Sequence, residues 1–183
     1  MSSAVVDREV RRAEQHAAAD RTPFMTDDIQ LRTAGLGDEG VLAQLCAHVQ
    51  SLHLRQRPDV FKDADASSLE QWFRAVLAEG SATVWICDVG VETAGYVLVR
   101  KERRPENVFC HQRDWHEVDQ ISVHPRFQGR GIARALLRRV AEAAAAEGVH
   151  EVELNTWYFN EAAQRVFSKL GFSVKNVRFS RPG

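Results

Sequence analysis

Two glycines set two apart, Gly129 and Gly131, with Gln128 before them and Arg126, Arg130 and Arg134 around them, are the residues whose types and spacing most directly suggest chemistry. Glycine reaches left-handed backbone conformations, so successive N–H groups can converge on one point. A helix beginning near Ile132 adds the partial positive charge of its N-terminus. The run Gln128, Gly129, Arg130, Gly131, Ile132, Ala133 therefore suits an anion, above all a phosphate held by main chain, and the guanidinium groups of Arg126, Arg130 and Arg134 can add forked contacts. An ordinary tight turn is the plain alternative. The run is not a P-loop, which needs G-x-x-x-x-G-K, nor a dinucleotide fingerprint, which needs a third small residue where Arg134 stands.

Upstream, Glu117 and Asp119 are two acids on one predicted strand. Period-two alternation puts Glu117, Asp119, Ile121 and Val123 on one face unless a bulge intervenes, so both carboxylates can address a bound group. The plain alternative is that each only pairs with a neighbouring Arg or binds acceptor charge. Imidazoles are candidate bases near neutral pH, but His111 flanks a loop and His116 points to the other strand face. No His and acid have the H-E-x-x-H spacing of a metal site. Cys46, Cys87 and Cys110 are widely spaced and odd in number, which supports neither a disulfide framework nor a zinc site.

These residues need elements to hold them. Ile29 to Arg32 alternates as a strand, and Leu42, Leu45, Val49 and Leu52 recur at helical spacing. Ser67 or Ser68 caps a second helix carrying Leu69, Trp72, Phe73, Val76 and Leu77, which ends at Gly80. Ala82 to Cys87 and Ala94 to Val99 form a hairpin around Asp88, Gly90 and Glu92. A third strand runs from Trp115 to Val123 and is closed by Pro125. The strongest helix bears Ile132, Ala133, Leu136, Leu137, Val140 and Ala144 on one face and stops at Gly148. Val149 to Thr156 is a strand, Asn160 caps a helix with Ala163, Val166, Phe167 and Leu170, and Phe172 to Phe179 supplies a last strand. The expectation is a three-layer α/β or α+β domain: a mixed, mostly antiparallel central sheet flanked by helices.

Composition sets the frame. A chain of 183 residues, 44% apolar, fits one core, expected over residues 28 to 183. Residues 1 to 27 are charged and Ala-rich and read as a poorly ordered extension; Met25 is a candidate start, and Val5, Val6 and Val10 allow a short docked helix instead. Lys plus Arg (24) and Asp plus Glu (25) nearly cancel, so a nucleic-acid partner is not favoured. No run approaches the roughly 20 apolar residues of a membrane span, and early charges disrupt any secretory leader. A cytoplasmic protein is expected. A homodimer stays open.

Gln128, Gly131 and Ala133 match the Q/R-x-x-G-x-G/A signature of the GNAT family of N-acetyltransferases, which the segment resembles. Asp119-Gln120-Ile121-Ser122-Val123-His124-Pro125 resembles that family's central strand, and Asn160 to Ala163 with Phe167 to Phe172 resembles its second cofactor helix, N-x-x-A followed by Y-x-x-x-G-F. Three landmarks in order cover about residues 29 to 180. The resemblance implies a GNAT-like acyl-CoA N-acyltransferase fold and transfer of an acetyl group from acetyl-coenzyme A to a small-molecule or peptide amine. It implies that Gln128 to Ala133 hold the pyrophosphate, that Ile121, Ser122 and Val123 lend main chain to the pantetheine arm, and that Asn160 bonds the same arm or only caps its helix.

An ammonium has no lone pair, so the transfer needs a proton acceptor; Glu117 and Asp119 are the candidates. The family's usual acid is a Tyr, where this chain has Phe167. Tyr158 or water then protonates the leaving thiolate, whose pKa is near about 8.5. Phe167 also motivates a second reading, a non-catalytic module that binds coenzyme A, and transfer to a hydroxyl or of a longer acyl group is a third. The acceptor should lie against Leu52 to Phe61 and the loop over 103–116, where Arg57 and Asp59 either select a charged acceptor or only link the loop.

Overall fold

A computed structural model of the chain describes residues 29–181; the expected N-terminal extension over 1–27, its short-helix alternative and Met25 lie outside the described residues. In chain order the elements are β1 (Ile29–Thr33), α1 (Glu39–Gln56), α2 (Ala66–Glu79), β2 (Thr83–Val89), β3 (Glu92–Arg104), β4 (Arg113–Val123), a 3-10 turn at Pro125–Phe127, α3 (Ile132–Ala146), β5 (Val152–Leu154) and α4 (Glu161–Lys169). The strands form one sheet in the order β1-β2-β3-β4-β5, antiparallel except for β4 beside β5. The mixed, mostly antiparallel sheet expected from the sequence is what forms.

Alternation along the central strands divides the core in two. On one face Val84, Ile86, Tyr96 and Leu98 meet Leu42 and Leu45 of α1 and Phe73 and Val76 of α2. On the other, Trp85, Val97, Val99 and Val118 meet Leu136, Leu137 and Val140 of α3 and Phe167 of α4. Each face buries its own helix pair, which makes the three layers.

Two local expectations are corrected. The cap of α2 is Asp65 rather than Ser67 or Ser68: its Oδ1 accepts the Ser68 N–H at 2.9 Å and its Oδ2 the Ser68 hydroxyl at 2.7 Å. A carboxylate satisfies both donors and adds negative charge at the helix N-terminus, which a serine at Ser67 cannot. The last strand expected from Phe172 to Phe179 is not formed. Phe172 packs on Phe167, but 173–181 has no regular structure, and Val174, Val177 and Phe179 are 84%, 68% and 90% exposed. The reason lies in the neighbour: β5 is three residues long, not the eight of the expected Val149 to Thr156, and offers too short a ladder to order another strand. Lys175 tethers this tail through Glu151 and Glu153.

Candidate active site

β4 is the strand that organises the cleft. Leu98 pairs with Gln120 but Val99 pairs with Val118, so Asp119 is the extra residue of a β-bulge. The bulge reverses the alternation. Ile121 and Val123 pack against the α3-side core, whereas Gln120 and Ser122 face α1, where the Ser122 hydroxyl donates to the Leu45 carbonyl at 2.7 Å. Below the bulge, Val118 and His116 take the α3 side, His116 at 3.2 Å from Glu147, so Glu117 faces α1. Glu117 therefore does not share a face with Ile121 and Val123; the placement of His116 on the face opposite Glu117 holds.

The same strand opens a slot. β5 pairs with β4 only where His116, Glu117 and Val118 lie beside Val152, Glu153 and Leu154. From Asp119 to Val123 β4 has β3 on one flank and, among the described residues, no strand on the other. Successive residues of a strand turn their main chain to opposite flanks, so the Ser122 carbonyl faces Gly95 of β3 while Ile121 and Val123 present theirs to the opening, where the Val123 carbonyl accepts from Gln128.

At the end of that opening stands the glycine turn. Gly129 and Gly131 have φ of 77° and 83°, and Gly131 is the N-cap of α3. The N–H groups of Gly129, Gly131, Ile132, Ala133 and Arg134 have no acceptor among the described residues; they are the orphan donors of a helix N-terminus, which suit an anion. Phe127, 4% exposed, anchors the turn in the core, with the Arg126 and Arg130 guanidinium carbons 5.7 and 5.5 Å from its ring centroid. Arg126 is also paired to Glu92 at 2.6 Å, while Gln128 Nε2 donates to the Val123 carbonyl at 3.4 Å and Arg134 is exposed. Gly95 of β3 supports this corner: a Cβ there would stand 2.6 Å from the Ser122 carbonyl oxygen and 3.2 Å from Ile132.

On the α1 face, Glu117 Oε2 accepts the Trp115 indole N–H at 3.0 Å and Oε1 accepts Asn155 Nδ2 at 2.7 Å. Asp119 is more exposed and accepts from Arg100 Nε at 3.2 Å. Between them and α1, Gln120 Oε1 accepts the Tyr96 hydroxyl at 2.7 Å; burial holds that phenol well above its usual value of 10.0. Burial also raises the Cys46 thiol beside it. Phe167 is buried in the core and Tyr158 is 92% exposed, its hydroxyl in no hydrogen bond with the described residues. Asn160 caps α4, accepting the Ala163 N–H at 3.2 Å. Arg57 forks onto Asp59 at 2.8 and 2.7 Å, the salt-linked alternative for that loop.

Asn155 and Gly95 were not singled out in the sequence. A lone glycine inside a strand signals close backbone approach, so Gly95 carried a readable mark. Asn155, one polar residue at a strand end, carried none.

The model of the acetyltransferase (GNAT) family matches residues 46–172. The chain is similar to an uncharacterised N-acetyltransferase of Methanocaldococcus jannaschii, 29% identical over 58% of this chain and 46% of that one. It is also similar to the N-acetylaspartate synthetase of Rattus norvegicus, 30% identical over 59% of this chain and 32% of that one, so the chain spans a third to a half of these curated relatives. Among solved structures, a tetramutant Bacillus halodurans protein superposes with a TM-score of 0.79 at 23% identity, over 84% of this chain and 99% of that one. A predicted acetyltransferase of Clostridium acetobutylicum, solved with acetyl-coenzyme A, gives 0.62 at 17% identity over 84% and 96%. With the family pattern running from Cys46 to Phe172 across the split sheet, the glycine turn and α4, the chain belongs to the GNAT family of acetyltransferases.

Proposed function

We propose that this protein transfers the acetyl group of acetyl-coenzyme A to a primary amine by direct attack on the thioester. The observation that carries the reading is the divergence of β4 from β5 beyond Val118, which leads from the unsatisfied amides of the glycine turn to the α1 face where Glu117 sits. The pyrophosphate rests on the amides of Gly129, Gly131, Ile132 and Ala133, with Gln128, Arg130 and Arg134 around it. The pantetheine arm lies along Ile121, Ser122 and Val123, with Asn160 on the opposite flank. The thioester supplies an activated carbonyl; every other requirement falls to the protein.

The acceptor arrives as an ammonium and must lose a proton before its lone pair can act. Glu117 takes that proton, with Asp119 at the mouth of the cleft as the other carboxylate. The amine nitrogen then bonds to the acetyl carbon, the carbon–sulfur bond breaks with its electron pair going to sulfur, and the nitrogen's second proton leaves. The products are an amide, a coenzyme A thiol and one released proton. Sulfur is protonated by water or by Tyr158, since Phe167 has no proton to give. The near-balanced charge does not favour a nucleic-acid partner, and no helix among the described residues is long and apolar enough to cross a membrane.

Phe167 favours one other reading, a module that binds coenzyme A without turnover. A thiol-release assay with acetyl-coenzyme A against a panel of small amines, amino acids and peptides separates the two: release with any amine supports the transferase, and cofactor binding without release from the whole panel supports the module.

A further inference from the structure

Four rings from two stretches of chain close the α1 side of the cleft. His53, near the end of α1, stacks on Phe61 with centroids 4.8 Å apart and meets the edge of Phe159 at 5.9 Å. Phe61 meets Trp157 at 5.4 Å, and Trp157 stacks on Phe159 at 5.8 Å. The wall starts where the candidate base ends, because Trp157 follows by two the Asn155 that donates to Glu117. It is also held in place. Gln164 Nε2 of α4 donates to the Trp157 and Tyr158 carbonyls at 3.3 and 2.8 Å, and the Asn160 N–H donates to the Trp157 carbonyl at 2.9 Å. Trp157 is still 37% exposed, so part of its ring is open to a ligand.

Charge narrows what such a wall accepts. Burial lowers His53 below its usual 6.5, so its imidazole is neutral at neutral pH and stacks as an apolar ring. The cation on the wall, Arg57, lies 5.2 Å from the Trp157 centroid with its fork already closed by Asp59. Across the cleft stand the carboxylates of Glu117 and Asp119, the latter paired with Arg100. A carboxylate-bearing acceptor meets two anions here and finds Arg57 and Arg100 already paired, with Arg55 and Lys62 exposed at the outer edge of the wall. An acceptor with a flat apolar body and an ammonium head meets a stacking surface and an opposite charge.

We infer that the acceptor is an arylalkyl primary amine, its ring against Trp157 and Phe159 and its amine directed to Glu117. The inference rests on the transferase reading above and adds the acceptor class to it.

The test measures thiol release with acetyl-coenzyme A and 2-phenylethylamine, n-propylamine, aspartate or spermidine, together with calorimetric titration of 2-phenylethylamine into protein saturated with coenzyme A. Expected are a kcat/KM for 2-phenylethylamine at least about tenfold above that for n-propylamine, the scale on which an apolar pocket discriminates, and saturable binding in the calorimeter. Trp157→Ala should raise the 2-phenylethylamine KM by about tenfold or more with the acetyl-coenzyme A KM unchanged, and Trp157→Phe should restore most of the loss. Phe61→Leu is a second variant should Trp157→Ala fail to fold. Turnover of aspartate or spermidine in preference to 2-phenylethylamine overturns the acceptor class and leaves the transferase reading standing. No thiol release from any amine overturns the transferase reading, and the calorimetry then decides the wall by itself: binding that Trp157→Ala abolishes supports it, and no binding overturns it.

Discussion

Glu117 and Ile121 lie four residues apart on β4 and face opposite sides of the sheet, because Asp119 is bulged out between them. Without the bulge, period-two alternation would bring both side chains to one face. With it, Ile121 seals the α3-side core while Glu117 turns to the α1 face and receives hydrogen bonds from Trp115 and Asn155. One strand thus presents apolar side chains to the α3 side and a hydrogen-bonded carboxylate to the α1 side.

Glu117→Gln preserves the shape of that residue but removes the proton acceptor and leaves one of the two donors, Trp115 or Asn155, unmatched. The expected result is a fall in kcat of roughly 10²–10⁴-fold, a flattened acidic limb of the pH profile, and an unchanged KM for acetyl-coenzyme A. Normal turnover at every pH would remove Glu117 from the mechanism.

Gly131→Ala tests the turn. Nothing stands within 4 Å of the added Cβ, so its cost comes from the φ of 83°, about 1–2 kcal/mol. Gly148→Ala, at the other end of α3 with φ of 72° and equally open space, is the control. Both should unfold at lower denaturant concentration by similar amounts, and Gly131→Ala alone should raise the acetyl-coenzyme A KM.

Gly95→Ala fails for a different reason. Its Cβ would meet backbone, the Ser122 oxygen at 2.6 Å and Val123 Cα at 3.3 Å, and backbone in a paired strand cannot yield as a side chain does. A loss of about 1–3 kcal/mol is expected in urea unfolding, with weaker cofactor binding because Ile132 at the start of α3 lies against the same position. Wild-type stability in this variant would contradict the packing.

His53 ties stability to pH. Burial favours its neutral form and puts its folded pKa below the usual 6.5, so the unfolded chain takes up a proton first as pH falls. Its contribution is complete above about pH 6.5 and is lost as pH drops through the folded value. The carboxylates held low by partners, Asp38 by Arg32 and Glu151 by Lys175 and Arg113, lose theirs only in more acid solution, below their usual values of 3.8 and 4.5. Denaturant melts between pH 5 and 8 should show a falling stability that His53→Phe reduces; an identical slope in both proteins would refute the assignment.

Most elements, and the glycine turn that precedes α3, are legible in the sequence. Helix and strand periods, glycine punctuation and the Gln128 to Ala133 run are local features, each decided within a few residues by backbone geometry and by which face is apolar. The run from Phe172 to Phe179 shows the limit: its pattern is strand-like, but a strand needs an edge to pair with, and β5 is too short to provide one. The tertiary structure alone decided which side of the sheet each acid serves, since the Asp119 bulge follows from the pairing register of two strands. It alone joined Asn155 to Glu117 and gathered His53, Phe61, Trp157 and Phe159 into one wall. These residues come from segments up to about a hundred positions apart, and no local pattern records that they meet; packing of α1 and α4 on opposite faces of a split sheet brings them together.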